Sequence, residues 1–407
     1  MPPKTTHPTT RLAESITQIL GELISIRHDL HAHPQLMFNE THANRVVCDQ
    51  LAALGIEHQT NMGGIEPNTG TGVLSHLPAT VENPGPCIGL RADMDALPIL
   101  EATGKEYCST NEGIMHACGH DGHTTILLGA AKVLAMMDHR PNPVSFVFQP
   151  GEEGGAGAEK MIRDGALDGS CLGPKVDRMY GLHGWPEYEL NQIGTMPGPM
   201  LAATDTFTVV ITGKQGHAAY PHLCVDPVVA AAQIISAAQT IASRDAMPTD
   251  AVVVTFASIH AGSAFNVIPE IVELKGTVRT LRDETRAMAK SRFYAIVEGM
   301  AGSMGCSAAI DWHTGYPVTS NDEREARRVL EIGEQATFAR RTVVVEAPTL
   351  GGEDFSYYGR QVASCFFFLG LSNPDQEEGP GLHTDRFDFN DDAIGLGVEM
   401  MCRLALS

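Results

Sequence analysis

The sequence predicts an α/β protein of two domains, the second a compact α+β unit inserted into the first. Three observations carry this. At 407 residues the chain is long for a single hydrophobic core. Outside 201–315, apolar positions at helical spacing alternate with short apolar or β-branched runs. Within 201–315 the order becomes β-α-β-β-α-β, a ferredoxin-like pattern.

Composition narrows the function classes. A hydrophobic share of 43% with 19% charged residues describes an ordinary globular chain, and no apolar run is long enough to span a bilayer. The 28 basic and 49 acidic residues leave a net charge of −21, which argues against nucleic acid and anionic membranes as partners. A small substrate stays compatible, because a local arginine can hold a carboxylate inside an acidic protein. Met1–Thr10 is Pro/Thr-rich, lacks an apolar signal core, and reads as a frayed cytoplasmic start. Nine scattered cysteines without a C-x-x-C pair read as reduced thiols. Cys48, Cys87, Cys224 and Cys402 read as small core residues; only Cys118 has metal-binding neighbours.

In chain order, Leu12, Ile16, Ile19, Leu20, Leu23, Ile24 and Ile26 mark a helix over Arg11–His31. It runs into a cluster with His28, His31 and His33, read as a polar helix end closed by Pro34. A second helix covers Glu40–Leu54, and Gly72–Leu77 and Cys87–Arg91 read as buried strands. Asp93 and Asp95 follow the latter, where open α/β sheets place their sites, although either can simply cap a turn. A helix over Thr124–Met137 precedes the strand Val144–Phe148. In the insert, strands are expected at Thr206–Ile211, Val252–Ile259, Ile271–Thr280 and Ser307–Trp312, with helices at Asp226–Ala242 and Arg286–Met300. A last buried strand is Cys365–Leu369.

The chemistry concentrates in a few stretches. Met115–His123 holds three histidines, a cysteine and an aspartate, a poor core element and a good metal anchor. Glu152 and Glu153 are adjacent carboxylates after a buried strand; one can ligate a cation while its neighbour handles protons, or both form a solvated turn. His183 and His383 each lie beside glycine or in a glycine-rich segment, and a lone histidine is often structural. Cys118-x-His120 matches neither a zinc finger, nor the deaminase pattern, nor the helical His-Glu-x-x-His of zinc proteases. The dispersed candidates Cys118, His120, Glu152, Glu153, His183 and His383, each in a loop after a strand, exceed what one tetrahedral ion needs and point to two ions.

Taken together, Arg27–Pro34, Arg91–Pro98, His116–Asp121, Gln149–Glu153, Gly181–His183, Gly216–Ala218, Asn266–Pro269, Thr349–Phe355 and Leu382–His383 carry a resemblance. Over almost its whole length the chain resembles the aminoacylase and carboxypeptidase-like dinuclear metallohydrolases, in the branch of hippurate hydrolases, N-acyl-amino-acid amidohydrolases and auxin-conjugate hydrolases. It departs from the family at Gly151, where alanine is usual, and in the early segment His33–Phe38.

The resemblance implies a zinc-peptidase-like catalytic domain, 1–200 with 316–407, in which helices flank a mixed sheet. It implies an inserted ferredoxin-like lid and dimerisation domain at 201–315, hence a homodimer or higher oligomer. The implied ligands of two divalent ions, zinc or manganese with cobalt or nickel as alternatives, are Cys118, His120, Glu153, His183 and His383. Glu152 is the implied base, and His217 reaches from the partner subunit to the oxyanion. Asn266 and Arg279 would hold the substrate carboxylate, and Gly351 and Gly352 would let backbone approach the substrate. Asp93, Asp95 and Asp121 would orient the ligands. The expected reaction is hydrolysis of an N-acyl amino acid. The competing readings are a metal-independent hydrolase with Cys118 as nucleophile, and a non-catalytic metal-binding protein on the same fold.

Overall fold

The computed structural model describes residues 8–373 and 379–407. The start expected to fray lies outside the described residues up to position 7, and a helix already begins at Pro8.

The chain opens with α1 (Pro8–Ala32), α2 (Thr41–Ala53), β1 (Glu57–Met62), β2 (Gly72–Leu77) and β3 (Ile88–Asp93). Then come α3 (His120–Ala135), β4 (Val144–Gln149), α4 (Gly157–Arg163), β5 (Arg178–Glu189), β6 (Gln192–Thr195) and β7 (Gly198–Leu201). The middle holds β8 (Ala203–Thr212), β9 (Gly216–His217), α5 (Pro227–Ala238), β10 (Val252–Ala261), β11 (Val267–Ile268), β12 (Ile271–Thr280), α6 (Asp283–Ser303) and β13 (Ser307–Thr314). The chain closes with β14 (Thr319–Asn321), α7 (Glu323–Gln335), β15 (Arg341–Val344), α8 (Ser356–Gly359), β16 (Ala363–Ser372) and α9 (Ile394–Leu406). They form two compact units. The larger holds the described residues up to Gly198 with Ser320–Ala347 and Asp354–Ser407; the smaller holds Pro199–Thr319 with Pro348–Glu353.

In the larger unit the described residues form a mixed sheet in the order β1-β2-β4-β3-β5-β16-β6-β15. β3 runs parallel to both β4 and β5, and β5 parallel to β16, so their carboxyl ends share one edge. Central strands this apolar need cover on both faces. α1 supplies Leu12, Ile16, Ile19, Leu23 and Leu30 at helical spacing, and packs with α3 and α9. β1 escaped the sequence reading because Glu57-His-Gln-Thr-Asn-Met62 is polar; as an edge strand paired only to β2 it buries little.

α3 starts at His120, four residues earlier than its apolar run predicts, because Gly119 takes a left-handed φ of 83° and starts the turn. His120 is therefore the first helical residue and His183 lies inside β5, so neither sits in a loop as expected. Cys48 and Cys224 are half-buried rather than core; Cys87 and Cys402 are buried, and all nine cysteines are free thiols.

The smaller unit has an antiparallel sheet in the order β10-β12-β8-β13, with α5 and α6 packed on a core that includes Phe207, Ile211, Ile234, Leu274 and Phe293. α5 ends at Ala238, short of the expected Ala242, and a π-turn at Ile241–Asp245 follows. Gly351 and Gly352 belong to this unit, since the amide of Ala202 donates to the carbonyl of Gly351 at 2.8 Å.

In β16, Gly370 leaves no room for a side chain: a Cβ there would sit 1.9 Å from the carbonyl oxygen of Glu189. Gly370→Ala is expected to destabilise the protein by about 1–3 kcal/mol, measured as a lower urea midpoint with unchanged slope.

Candidate active site

The parallel strands deliver the site. Asp93 ends β3 level with Gln149 at the end of β4. The last β3–β5 pair is Arg91 with Gly181, which sets His183 two residues on, level with Asp93. Beyond these ends lie Asp95, Glu152 and Glu153, while the N-terminus of α3 contributes His120 and the turn before it Cys118.

Cys118 is shared by two groups of potential ligands. Its Sγ lies 3.3 Å from His183 Nε2 and 3.3 Å from His383 Nε2. Cys118, His120 and His183 form one group with donor atoms within 4.8 Å of one another; Cys118, Glu153 and His383 form the other. His120 also groups with Glu152 and Glu153. His383 takes a left-handed backbone, φ 60°, and its amide donates a hydrogen bond to the carbonyl of Ala117 at 2.8 Å. A non-glycine residue in that conformation marks a place where geometry outweighs strain.

The donor set fits divalent cations. Both ring nitrogens of His120 and Oε1 of Glu153 are buried without an aligned hydrogen bond, although Asp95 and Asp93 stand 3.4 and 3.8 Å from the ring and His383 3.3 Å from Glu153. A divalent cation would satisfy such a set of donor atoms. Thiolate, imidazole and carboxylate together suit zinc and its neighbours. His123 is different: its Nδ1 is 2.7 Å from Asp93 and its Nε2 accepts the amide of Gly184 at 2.8 Å, so both nitrogens are occupied. A second group, Asp29, His33 and His42, is a hydrogen-bonded clasp. Arg45 donates to Nδ1 of His42 at 3.2 Å, so Nε2 of His42 carries the ring proton toward Asp29.

Charge explains the protonation states. Burial, then Glu153 and Glu152, push the Cys118 thiol well above the usual range. Burial opposes charge on His120, but Asp93 and Asp95 raise it to about 10. His183 is held well below the ordinary value by burial and by His123. Burial would raise Glu153, yet His383 and His120 hold it low.

Backbone hydrogen bonds fix the glutamate pair. Asp95 accepts the amides of Glu152 and Glu153 at 3.0 and 2.9 Å, and Glu40 accepts the amide of Gly151 at 2.9 Å. The carboxylate of Glu152 accepts the amide of Asp354 at 3.4 Å. Asp121 is buried against Arg27 and His31, at 2.9 and 2.8 Å. That gives the early cluster a task the sequence reading did not assign. The signal was the Arg27/His31 spacing of four on the helix face that also carries Leu23 and Leu30; its partner, 90 residues away, was not legible. Glu40, Arg91 and Asp354 were also missed.

In the smaller unit, β9 pairs with β11, so the Gly216-His-Ala and Asn266-Val-Ile-Pro segments meet: the amide of Ala218 donates to the carbonyl of Asn266 at 3.0 Å. His217 and Asn266 are exposed. Arg279, half-buried in β12, stands opposite Thr204. Gly352 also packs on Thr204, since a Cβ there would meet Thr204 Cγ2 at 2.3 Å; Gly351 has no such neighbour.

A fold of this kind with thiol, imidazole and carboxylate donors at the strand ends defines a metal-dependent hydrolase. The model of peptidase family M20/M25/M40 matches residues 89–407, and the chain belongs to that family. It is 40% identical over 373 residues to an N-acetyl-L-cysteine deacetylase of Bacillus subtilis, covering 91% of this chain and 85% of that protein. It is 34% identical to IAA-amino acid hydrolase ILR1-like 4 of Arabidopsis thaliana, over 94% and 84% of the two chains. A solved Bacillus subtilis structure described as a dinuclear metal-binding peptidase of the M20 family superposes with a TM-score of 0.80 at 31% identity, covering 96% and 98%. Among the described residues no helix is long and apolar enough to cross a membrane.

The Asp121 anchor has a pH signature. Burial disfavours the charged form of His31, but Asp121 raises it from 6.5 to about 9. The folded state thus binds this proton more tightly. The contribution is full below pH 6.5 and is lost as pH rises through about 9. Urea unfolding at pH 6.5 and 9.5 is expected to show a loss of up to about 3 kcal/mol in the native protein, and a smaller loss in His31→Gln.

Proposed function

We propose that the protein hydrolyses the amide of N-acyl amino acids, with Glu152 as general base and Cys118, His120, Glu153, His183 and His383 as ligands of two divalent ions. Its relatives are named for N-acetyl-L-cysteine, N-acetyldiaminopimelate and IAA-amino acids, which share an acylated α-amino group. The observation that carries the reading is the pair of donor groups sharing Cys118, with Glu152 alongside.

When bound, the ions would supply Lewis acidity toward the amide carbonyl and a lowered pKa for water. Glu152 takes the proton of the attacking water on its carboxylate and returns it to the leaving nitrogen. Glu153 and the histidines keep their donor atoms aimed, with Asp93 and Asp95 setting the orientation of His120. His217, reaching over from the partner subunit, offers a donor to the oxyanion. Asn266 stands beside His217 and Arg279 at the other end of β12, so the two would meet the substrate carboxylate from different subunits, and Gly351 and Gly352 would let backbone approach the substrate. The residues outside 199–319 and 348–353 make up the catalytic domain, and the smaller unit acts as lid and dimerisation domain. The fully exposed Phe265 and the exposed Ile259 and Ile271 favour a homodimer through it. We place the enzyme in the cytoplasm, where nine free thiols stay reduced. Zinc or manganese suits the donors best.

A cysteine-nucleophile mechanism has less support, because it leaves Glu152 and Glu153, grouped with His120, without a task.

Glu152→Gln, purified with its metals, is expected to lose about 10²–10⁴-fold in kcat; near-normal turnover would defeat the base assignment. Chelation is expected to abolish activity and single-metal reconstitution to restore it. A panel of acetyl, benzoyl and indolyl-acetyl amino acids would identify the acyl group. On that panel Arg279→Ala is expected to erase the preference for acyl amino acids over the matching decarboxylated amides; an unchanged preference removes the contact.

A further inference from the structure

Glu40 stands at the N-terminal boundary of α2, where an acidic side chain ordinarily caps its own helix. It makes no such bond. The side chain is fully buried and turns the other way. Oε1 accepts the amides of Phe38 and Gly151, each at 2.9 Å, and Oε2 accepts the hydroxyl of Thr71. A buried carboxylate with three donors is a fixed post.

What it holds is unusual at both ends. Phe38 has a left-handed backbone, φ 62°, rare for a bulky side chain. Its ring lies on the glutamate loop: a Cβ at Gly151 would meet Phe38 Cε1 at 2.7 Å, and one at Gly155 would meet Cζ at 2.7 Å. Gly151 itself has φ 64°. The same early segment is tied to the strand-end aspartates, since Leu36 bridges to Ala96, the neighbour of Asp95. Three consecutive amides, at Gly151, Glu152 and Glu153, thus end on two carboxylates carried by one connected stretch of structure.

We propose that Glu40 is a positioning residue which, by gripping the Gly151 amide and the Phe38 turn, fixes where the Glu152 carboxylate stands in the site. The inference rests on the reading of Glu152 as base. The hydrogen-bond partners of Glu40, namely Phe38, Thr71 and Gly151, are not ligand candidates, so its loss acts through placement. Displacing a catalytic group by about 1 Å costs on the order of 10²-fold in rate.

The test compares Glu40→Asp, Glu40→Gln and Glu152→Gln at matched metal content, with a thermal melt for each. Aspartate keeps the carboxyl group but falls one methylene short of Gly151. Glutamine keeps an acceptor oxygen for both amides. The expected result is a kcat of Glu40→Asp lower by about 10²-fold with KM unchanged, and at least about tenfold of that recovered in Glu40→Gln. Should Glu40→Asp fail to fold, Phe38→Leu takes the ring off the Gly151 and Gly155 backbone and is expected to lower kcat in the same way. Wild-type kcat in the variant that folds, equal changes in kcat and KM, or a loss that merely tracks the folded fraction overturns the proposal. An inactive Glu152→Gln with a fully active Glu40→Asp defeats the brace alone. A fully active Glu152→Gln defeats the base assignment and the brace with it.

Discussion

The buried guanidinium of Arg91 is the interaction on which the site depends. It donates to Gln149, Asp93 and Asp354 at 2.9, 2.7 and 3.0 Å. Those contacts join the ends of β3 and β4 to the turn before α8. Asp354 in turn accepts both Gln149 and the amide of Ala158. One planar fork thus makes it tolerable to bury aspartates where the parallel strands stop. Removing one partner from such a buried set leaves an uncompensated charge, at a cost of about 3–5 kcal/mol.

Arg91 does not neutralise the whole neighbourhood. Asp93, Asp95, Glu152, Glu153 and Cys118 crowd the same strand ends, and Arg91, the raised His120 and His383 offset only part of that charge. The strain shows as a thiol pushed up and as His120 ring nitrogens that face Asp95 and Asp93 at 3.4 and 3.8 Å without an aligned hydrogen bond. Cations relieve both at once. The contrast between His123 and His183 shows how neighbouring imidazoles are sorted. His123 uses both nitrogens structurally, whereas His183 gives Nδ1 to the carbonyl of Gly184 and turns Nε2 to Cys118.

The mixed α/β architecture was legible because periodicity and apolar runs are local properties: α1, β2, β4 and, in the smaller unit, β8, α5, β10, β12, α6 and β13 fall within a few residues of their sequence signals, whereas the two-residue strands β9 and β11 gave none. Polar edge strand β1 was not, since its reason to exist is a partner strand. The donor residues were readable by type and motif. Their supports were not, because Glu40 with Gly151, Arg27 with Asp121 and Arg91 with Asp354 are pairs of distant residues in which neither member signals the other. The left-handed backbones at Phe38 and His383 were equally hidden, since neither residue type announces that conformation.

The larger unit is discontinuous, and this governs the order in which the chain can be assembled. β5 has β16 as its neighbour, with Ala363 opposite Arg178. On the ribosome β5 emerges with that edge bare, and at ordinary elongation rates it waits on the order of 10 to 40 s for its neighbour. The strands of the smaller unit, β8 to β13, are synthesised inside that interval and can pair among themselves first. The nascent protein therefore carries an apolar strand with one bare edge while the four-stranded sheet of its inserted unit is already synthesised. That interval, more than any weakness of the finished sheet, is where expression yield and chaperone demand would be decided.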